Sequence, residues 1–249
     1  MRRLRIFLTG LGLAGLALAT SVAATDYARE ARWADEVQAG LVTGEARFLQ
    51  TENGHKFLAL YTPAASATTA VVLVHGAGVH PDWGLVGALR QSLPDAGYAT
   101  LSLQMPVEAA DAKPEAYPAN FPEAVERIAR GVAFMKAQGY RRIVLVSHSM
   151  GSRMAEHYLG ETKGAAIAAW VSVGITEPYA KLDGVNLPVL DVYGEQDFPR
   201  VLAAAPSRAK AIAGKSGSAQ VRVHGADHYF NGKEKALGKV VEDFIKGLR

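Results

Sequence analysis

Three residues whose types together perform nucleophilic acyl chemistry stand in three short, turn-forming stretches. Ser149 lies in Ser147-His148-Ser149-Met150-Gly151, Asp197 in Gly194-Glu195-Gln196-Asp197, and His228 in Gly225-Ala226-Asp227-His228. An unassisted serine hydroxyl is a weak nucleophile at neutral pH. An imidazole within hydrogen-bond reach takes its proton, and a carboxylate behind the imidazole fixes its tautomer. The residues two before and two after Ser149 are small, as a sharp turn at a reactive serine requires. Gly151 meets that demand fully, and Ser147 stands where such a turn usually carries glycine. Each assignment has a competitor. Ser149 could simply cap a helix, Asp191 and Glu195 offer other carboxylates, and His224 offers another base. Asp227 reads as a loop hydrogen-bonder and His148 as a packing residue beside the turn.

These stretches need rigid elements behind them. Apolar or β-branched runs predict strands over Arg47–Gln50, Phe57–Tyr61, Val71–His75, Ala99–Leu103, Ile143–Val146, Ala168–Val173, Val189–Tyr193 and Gln220–His224. Several of these runs are continuous rather than alternating, as for parallel strands buried on both faces. Helices are predicted over Leu85–Leu93, Pro122–Gln138, Ser149–Leu159, Val201–Ala213 and Lys233–Leu248. In the second of these, Val125, Ile128, Ala129, Val132 and Met135 recur at three- and four-residue spacing. Residues 25–40 read as a leading helix or ordered arm. The alternation of strand and helix predicts a single-domain α/β fold with a mostly parallel central sheet and helices on both faces. In such sheets ligands gather at the carboxyl ends of the strands. The three stretches above all fall there, as does His75-Gly76-Ala77-Gly78.

Residues 1–24 read as an export leader. Arg2, Arg3 and Arg5 precede an apolar run from Ile6 to Thr20, and Val22-Ala23-Ala24 supplies small residues for cleavage after Ala24, or after Ala23. The run is short for a membrane span of about 20 residues. No stable anchor is therefore expected after cleavage, and the mature domain 25–249 is expected in the periplasm or outside the cell. The whole chain holds 27 Lys+Arg and 24 Asp+Glu, but three of those arginines belong to the leader. The remainder is balanced and gives no support for nucleic-acid binding. The absence of cysteine excludes a disulfide framework, a thiolate nucleophile and a Cys-based metal site. His55, His80 and His157 show no metal-ligand spacing, and the Gly-rich stretch at 75–78 lacks the lysine of a phosphate loop. No metal or cofactor is expected.

HGAG at 75–78, SHSMG at 147–151, YGEQD at 193–197 and GADHYF at 225–230, in this order, resemble the α/β-hydrolase superfamily from about Glu45 onward. His80-Pro81-Asp82-Trp83 together with SHSMGS is similar to an uncharacterised exported proteobacterial branch. The resemblance implies a serine hydrolase with Ser149 as nucleophile, His228 as base and Asp197 as its orienting acid. It also implies an oxyanion hole from the backbone N–H of Met150 and of Ala77, with Gly76 as the fallback, and a structural His75. A serine nucleophile and the lack of cysteine narrow the chemistry to carboxylic ester or thioester cleavage, with amide hydrolysis and acyl transfer as further options. The expected partner is a small acyl ester; no protein partner is indicated. The alternative is a catalytically idle scaffold that binds an envelope component or a protein. Lids commonly enter after the sixth strand, but only Gly174–Leu187 intervene before the seventh, too few for a large cap domain. The longer irregular stretch Gln104–Phe121 suggests a pocket wall of Met105, Tyr117 and Phe121, with Trp83 nearby. The competing expectation is that these residues pack beneath the loop.

Overall fold

A computed structural model describes residues 25–248; the leader and cleavage site expected from the sequence lie outside the described residues. The predicted leading arm is helix α1 (Tyr27–Ala39), capped by the Asp26 carboxylate, which accepts from Arg29 N–H. Eight strands follow: β1 (Glu45–Gln50), β2 (Lys56–Thr62), β3 (Thr69–Val74), β4 (Ala99–Leu103), β5 (Arg142–His148), β6 (Ala169–Val173), β7 (Val189–Gln196) and β8 (Ala219–Asp227). They form one sheet in the order β1-β2-β4-β3-β5-β6-β7-β8. The β1–β2 and β2–β4 pairs are antiparallel and the rest are parallel.

The continuous apolar runs are strands covered twice. Along β3, Val72 and Val74 face a core shared with α3 (Phe121–Ala137) and α4 (Met150–Thr162), through Ile128, Val132, Met154 and Leu159. Val71 and Leu73 face the opposite core, closed by α2 (Gly84–Ser92) and α6 (Glu234–Gly247) through Leu85, Leu89, Leu237 and Val241. The two-residue period of a strand sends neighbours to opposite layers. Helix α5 (Pro199–Ile212) follows β7, and α1 covers Leu58 and Leu60 of β2 with Ala34 and Val37. The stretch expected to be irregular after β4 contains a 3₁₀ helix, Pro114–Asn120. No helix occupies the connection between β6 and β7, in keeping with the absence of a large cap.

Three fully or nearly fully buried arginines fasten the layers, each matched to a carboxylate as burial demands. Arg127 of α3 donates to Glu30 of α1 (3.0 Å), to Glu123 (2.5 Å) and to the Gln104 carbonyl (3.0 Å). Arg90 of α2 grips Asp82 (2.6 Å) and the Thr43 carbonyl (2.6 Å). Arg208 of α5 donates through Nε to both oxygens of Asp191 (3.0 Å each) and through Nη1 to the carbonyls of Ile175 and Val201 (3.1 Å each). Gln220 and the Tyr179 hydroxyl complete the Asp191 carboxylate at 2.7 and 3.1 Å. Burial pushes that carboxyl up against the pull of the guanidinium. Removing only the cation strands the anion, so Arg208→Met is expected to cost about 3–5 kcal/mol in urea unfolding. Part of that loss should return in the double variant Arg208→Met/Asp191→Leu. Equal midpoints for the single variant and the unaltered protein would show that this pair does not hold the β7–α5 layer.

Candidate active site

β5 ends at His148 and α4 begins at Met150, so Ser149 alone carries the reversal from strand to helix. Its backbone sits at φ 55°, ψ −120°, a conformation costly for a residue with a Cβ and sustained only by its surroundings. Ser149 N–H donates to the Val173 carbonyl of β6 at 2.8 Å, which holds the turn down. The demand for small neighbours is quantitative. A Cβ on Gly151 would fall 2.2 Å from the His75 carbonyl oxygen, and one on Gly76 would fall 3.2 Å from the Cβ of Ser149. Ser147 fits where glycine is usual because its hydroxyl is fully engaged. It accepts from Trp170 Nε1 at 2.8 Å and donates to Ser152 Oγ at 3.0 Å.

Residues far apart in the chain meet at this turn. His228 Nε2 stands 3.0 Å from Ser149 Oγ, and His228 Nδ1 stands 2.6 Å from Asp197 Oδ1. Asp197 is buried and its carboxylate also accepts backbone N–H from Phe198 (2.8 Å) and Gly194 (3.2 Å). The β7–β8 ladder bulges between Gly194 and Gln196. Gly194 is obligatory there, because a Cβ would meet the Ala226 carbonyl oxygen at 2.4 Å. Gly174, at the end of β6 with φ +59°, lies so close to His228 that a Cβ would sit 3.2 Å from the imidazole. The Phe198 ring stacks on the other side of His228 with centroids 4.0 Å apart. The three residues singled out from sequence are thus within hydrogen-bond reach.

The competing residues have other partners. Asp191 is committed to Arg208 within the core. Glu195 accepts from Gly225 N–H and pairs with the exposed His224. Asp227 accepts from Tyr229 and Asn231, closing the turn that carries His228.

Two buried histidines support the site without a proton to give. Burial drives His75 and His148 down to about 3, so both are neutral imidazoles. His75 Nε2 accepts from Met105 N–H at 2.9 Å, which leaves Nδ1–H to donate to the Gly76 carbonyl at 2.8 Å. His148 Nε2–H donates to the His228 carbonyl at 3.0 Å, bracing the chain at His228. Helix α1 braces the same region. Arg29 donates to the Gly78 carbonyl (3.2 Å) and the Glu108 carbonyl (3.0 Å), and Asp26 N–H to Val107 (2.7 Å). Gly76, Ala77 and Met150 edge the cavity above Ser149. The N–H of Met150 lies in the first turn of α4, where an N–H has no partner within its helix.

The cavity measures about 390 Å³ and is walled by Val79, Trp83, Pro114, Phe198 and Tyr229, with Ser149 and His228 at its base. Met105, Tyr117 and Phe121, expected as its wall, do not reach it. All three are buried in the core beneath, with Phe121 at the start of α3 set edge-on to His157. The 3₁₀ helix turns its first residues, Pro114 and Glu115, toward the cavity and its one aromatic, Tyr117, inward. Phe198, Tyr229, Gly174 and Arg153 were not singled out from sequence. Phe198 directly follows Asp197 and Tyr229 directly follows His228, a positional signal that could have found them.

A family model described as "Protein of unknown function (DUF3530)" matches residues 19–126. No curated protein matches. Among solved structures, an alpha-beta serine hydrolase homologue from Coxiella burnetii is similar over 82% of this chain and 98% of its own, at 18% identity and a TM-score of 0.64. The fold is that of the α/β hydrolases. Est1E from Butyrivibrio proteoclasticus is similar over 80% and 97% of the two chains, with 16% identity and a TM-score of 0.61. A dienelactone hydrolase from Anabaena variabilis is similar over 82% and 99%, with 19% identity and a TM-score of 0.63.

The buried imidazoles make stability pH-dependent. A depressed folded-state value means that the unfolded chain takes up protons that the fold refuses. The stabilisation is complete above about pH 6.5 and lost as pH falls toward 3. The partly buried His55, His80 and His157, also lowered by burial, act in the same direction. Glu30, pushed up by burial to about 7 against the pull of Arg127, opposes them as pH falls from 7 to about 4.5. Glu108, Glu156 and Asp191, also raised by burial, act with Glu30, but the large displacements at both His75 and His148 outweigh them. The urea midpoint should therefore be lower at pH 5 than at pH 7.5, and the drop should shrink in His148→Gln. A midpoint that rises on acidification would mean that Glu30 governs the balance.

Proposed function

We propose that this chain is an exported serine hydrolase that cleaves carboxylic ester or thioester bonds through an acyl-enzyme. The observation that carries the reading is the Ser149–His228–Asp197 chain of contacts, 3.0 and 2.6 Å, at the base of an open and largely apolar cavity. Ser149 Oγ attacks the substrate carbonyl while His228 Nε2 takes its proton. The same proton then passes to the leaving group. Asp197 accepts Nδ1–H and stabilises the imidazolium that forms. The N–H groups of Met150 and Ala77 receive the developing oxyanion, a contribution whose loss typically costs on the order of a hundred- to a thousandfold in rate. Water repeats the sequence on the acyl-enzyme. The strained turn at Ser149 fits this role, since backbone strain of that kind collects at functional sites. Two structural neighbours, a serine hydrolase homologue and a dienelactone hydrolase, agree with this reaction class. The sequence of residues 1–24 supports a reading in which the enzyme works in the periplasm or outside the cell, on a small acyl ester, with no cofactor, no nucleic acid and no stable membrane anchor.

A fluorophosphonate read by intact mass tests this. The protein, produced with its leader, should gain a single adduct that disappears in Ser149→Ala, and its unmodified mass should begin at Thr25. Asp197→Asn should lower ester turnover by about 10⁴-fold, because the imidazole then rests in the wrong tautomer. Folded protein that takes no adduct and turns over no ester would instead favour the idle binding scaffold.

A further inference from the structure

The charges around the cavity are unevenly matched. Arg200 at its rim is bonded to Glu177 at 2.7 Å, so that pair neutralises itself. Glu115 is exposed on the first turn of the 3₁₀ helix. Arg153 also lines the cavity, yet no carboxylate of the described residues lies within 4.0 Å of it. This sets it apart from Arg90, Arg127 and Arg208, each of which has its anion within 3.0 Å. The nearest acid along its own helix, Glu156, spends one oxygen on the N–H groups of Ala180 and Lys181, at 2.5 and 2.9 Å.

The position of Arg153 suits it to the substrate. It stands one helical turn after Ser149, and side chains on a helix lean back toward its N-terminus. Its stem therefore runs over the first turn of α4 toward the reacting serine. The side chain is half-buried and its guanidinium lies 5.5 Å from the centre of the Phe121 ring. Phe121 is itself wedged by His157, with ring centres 4.6 Å apart. An aromatic shelf thus limits the sweep of the cation, which lowers the entropic cost of engaging an anion.

We propose that Arg153 reads a negative charge on the substrate, so that the cavity selects esters carrying a second, ionised carboxylate. This rests on the hydrolase reading of Ser149. Of the two arginines that line the cavity only Arg153 has no contact ion pair, it already feels Glu156 through space, and Glu115 and Glu177 share the lining, so a monoanionic carboxylate fits better than a dianionic phosphate. A planar carboxylate also suits the fork of a guanidinium. The substrate class is then a half-ester of a dicarboxylic acid, its free end directed to Arg153 and its ester carbonyl to Ser149.

The test compares mono-p-nitrophenyl glutarate with p-nitrophenyl valerate, whose acyl chain is similar in size but neutral. A charge-assisted hydrogen bond corresponds to about a 10- to 100-fold effect. The ratio of kcat/KM, glutarate half-ester over valerate, should favour the anion by at least about 10-fold in the unaltered protein. It should fall by a similar factor in Arg153→Met, which keeps a stem over Phe121, and recover in part in Arg153→Lys. Raising salt should also erode it, since the mouth is open to solvent. A ratio near one in the unaltered protein, or an equal ratio in Arg153→Met, with valerate still hydrolysed and Ser149 still labelled by fluorophosphonate, overturns this inference alone. Failure of labelling together with turnover of neither ester overturns the hydrolase reading, and this inference with it.

Discussion

The start of α4 lies against the end of β3 with no space for a methyl group between them. A Cβ on Gly151 would meet the carbonyls of His75 and Val74 at 2.2 and 2.7 Å. That approach forces the chain to reverse within one residue, and the reversal lifts Ser149 clear of the sheet. It also sets the distance between the first N–H of the helix and the loop at 75–78. The anchoring of Ser149 N–H on β6, the engaged hydroxyl of Ser147 and the neutral His75 are consequences of holding two backbones that close. A residue with any side chain at position 151 would undo all of them together.

Buried charge does the remaining positioning. Arg208 binds Ile175 beyond β6 and Val201 in the first turn of α5, and the segments it joins carry Gly174 and Asp197. The two residues that confine His228 from below and behind are therefore registered against one guanidinium. Buried ion pairs of this kind are weak devices for net stability and strong ones for fixing geometry. Three of them, at Arg90, Arg127 and Arg208, distribute that role around the sheet.

Strands were legible wherever burial on both faces left an uninterrupted apolar run, as in β3 and β5, and helices wherever one face repeated, as in α3. β8 was legible only in its first half. Its pairing continues through the bulge to Asp227, set by the backbone meeting at Gly194, which leaves no periodic trace. The residues that meet at Ser149 were readable because strand ends and turn residues mark them. The cavity wall was not. Met105 and Tyr117 lie where no period states which way a side chain points, and the 3₁₀ helix sends Tyr117 into the core; Phe121 opens α3 on the same apolar stripe as Val125, Ile128 and Val132, a readable sign that it packs inward. Arg153 was hidden for a different reason: a charged residue on a helix normally reads as a solvated face, and its lack of a partner is visible only in three dimensions.

Helix α1 is fastened by contacts between residues far apart in the chain. Glu30 is held by Arg127, ninety-seven positions later, while Arg29 grips Gly78 and Glu108. Helix α1 can lay Ala34 and Val37 on β2 as soon as that strand exists, but its polar anchors come only with the loop after β3, the turn after β4 and α3. Until it docks, the loop facing Ser149 lacks its outer brace. A helix that precedes the whole sheet in the chain thus receives its last fastenings from segments that follow it, and acts as a late latch on the site.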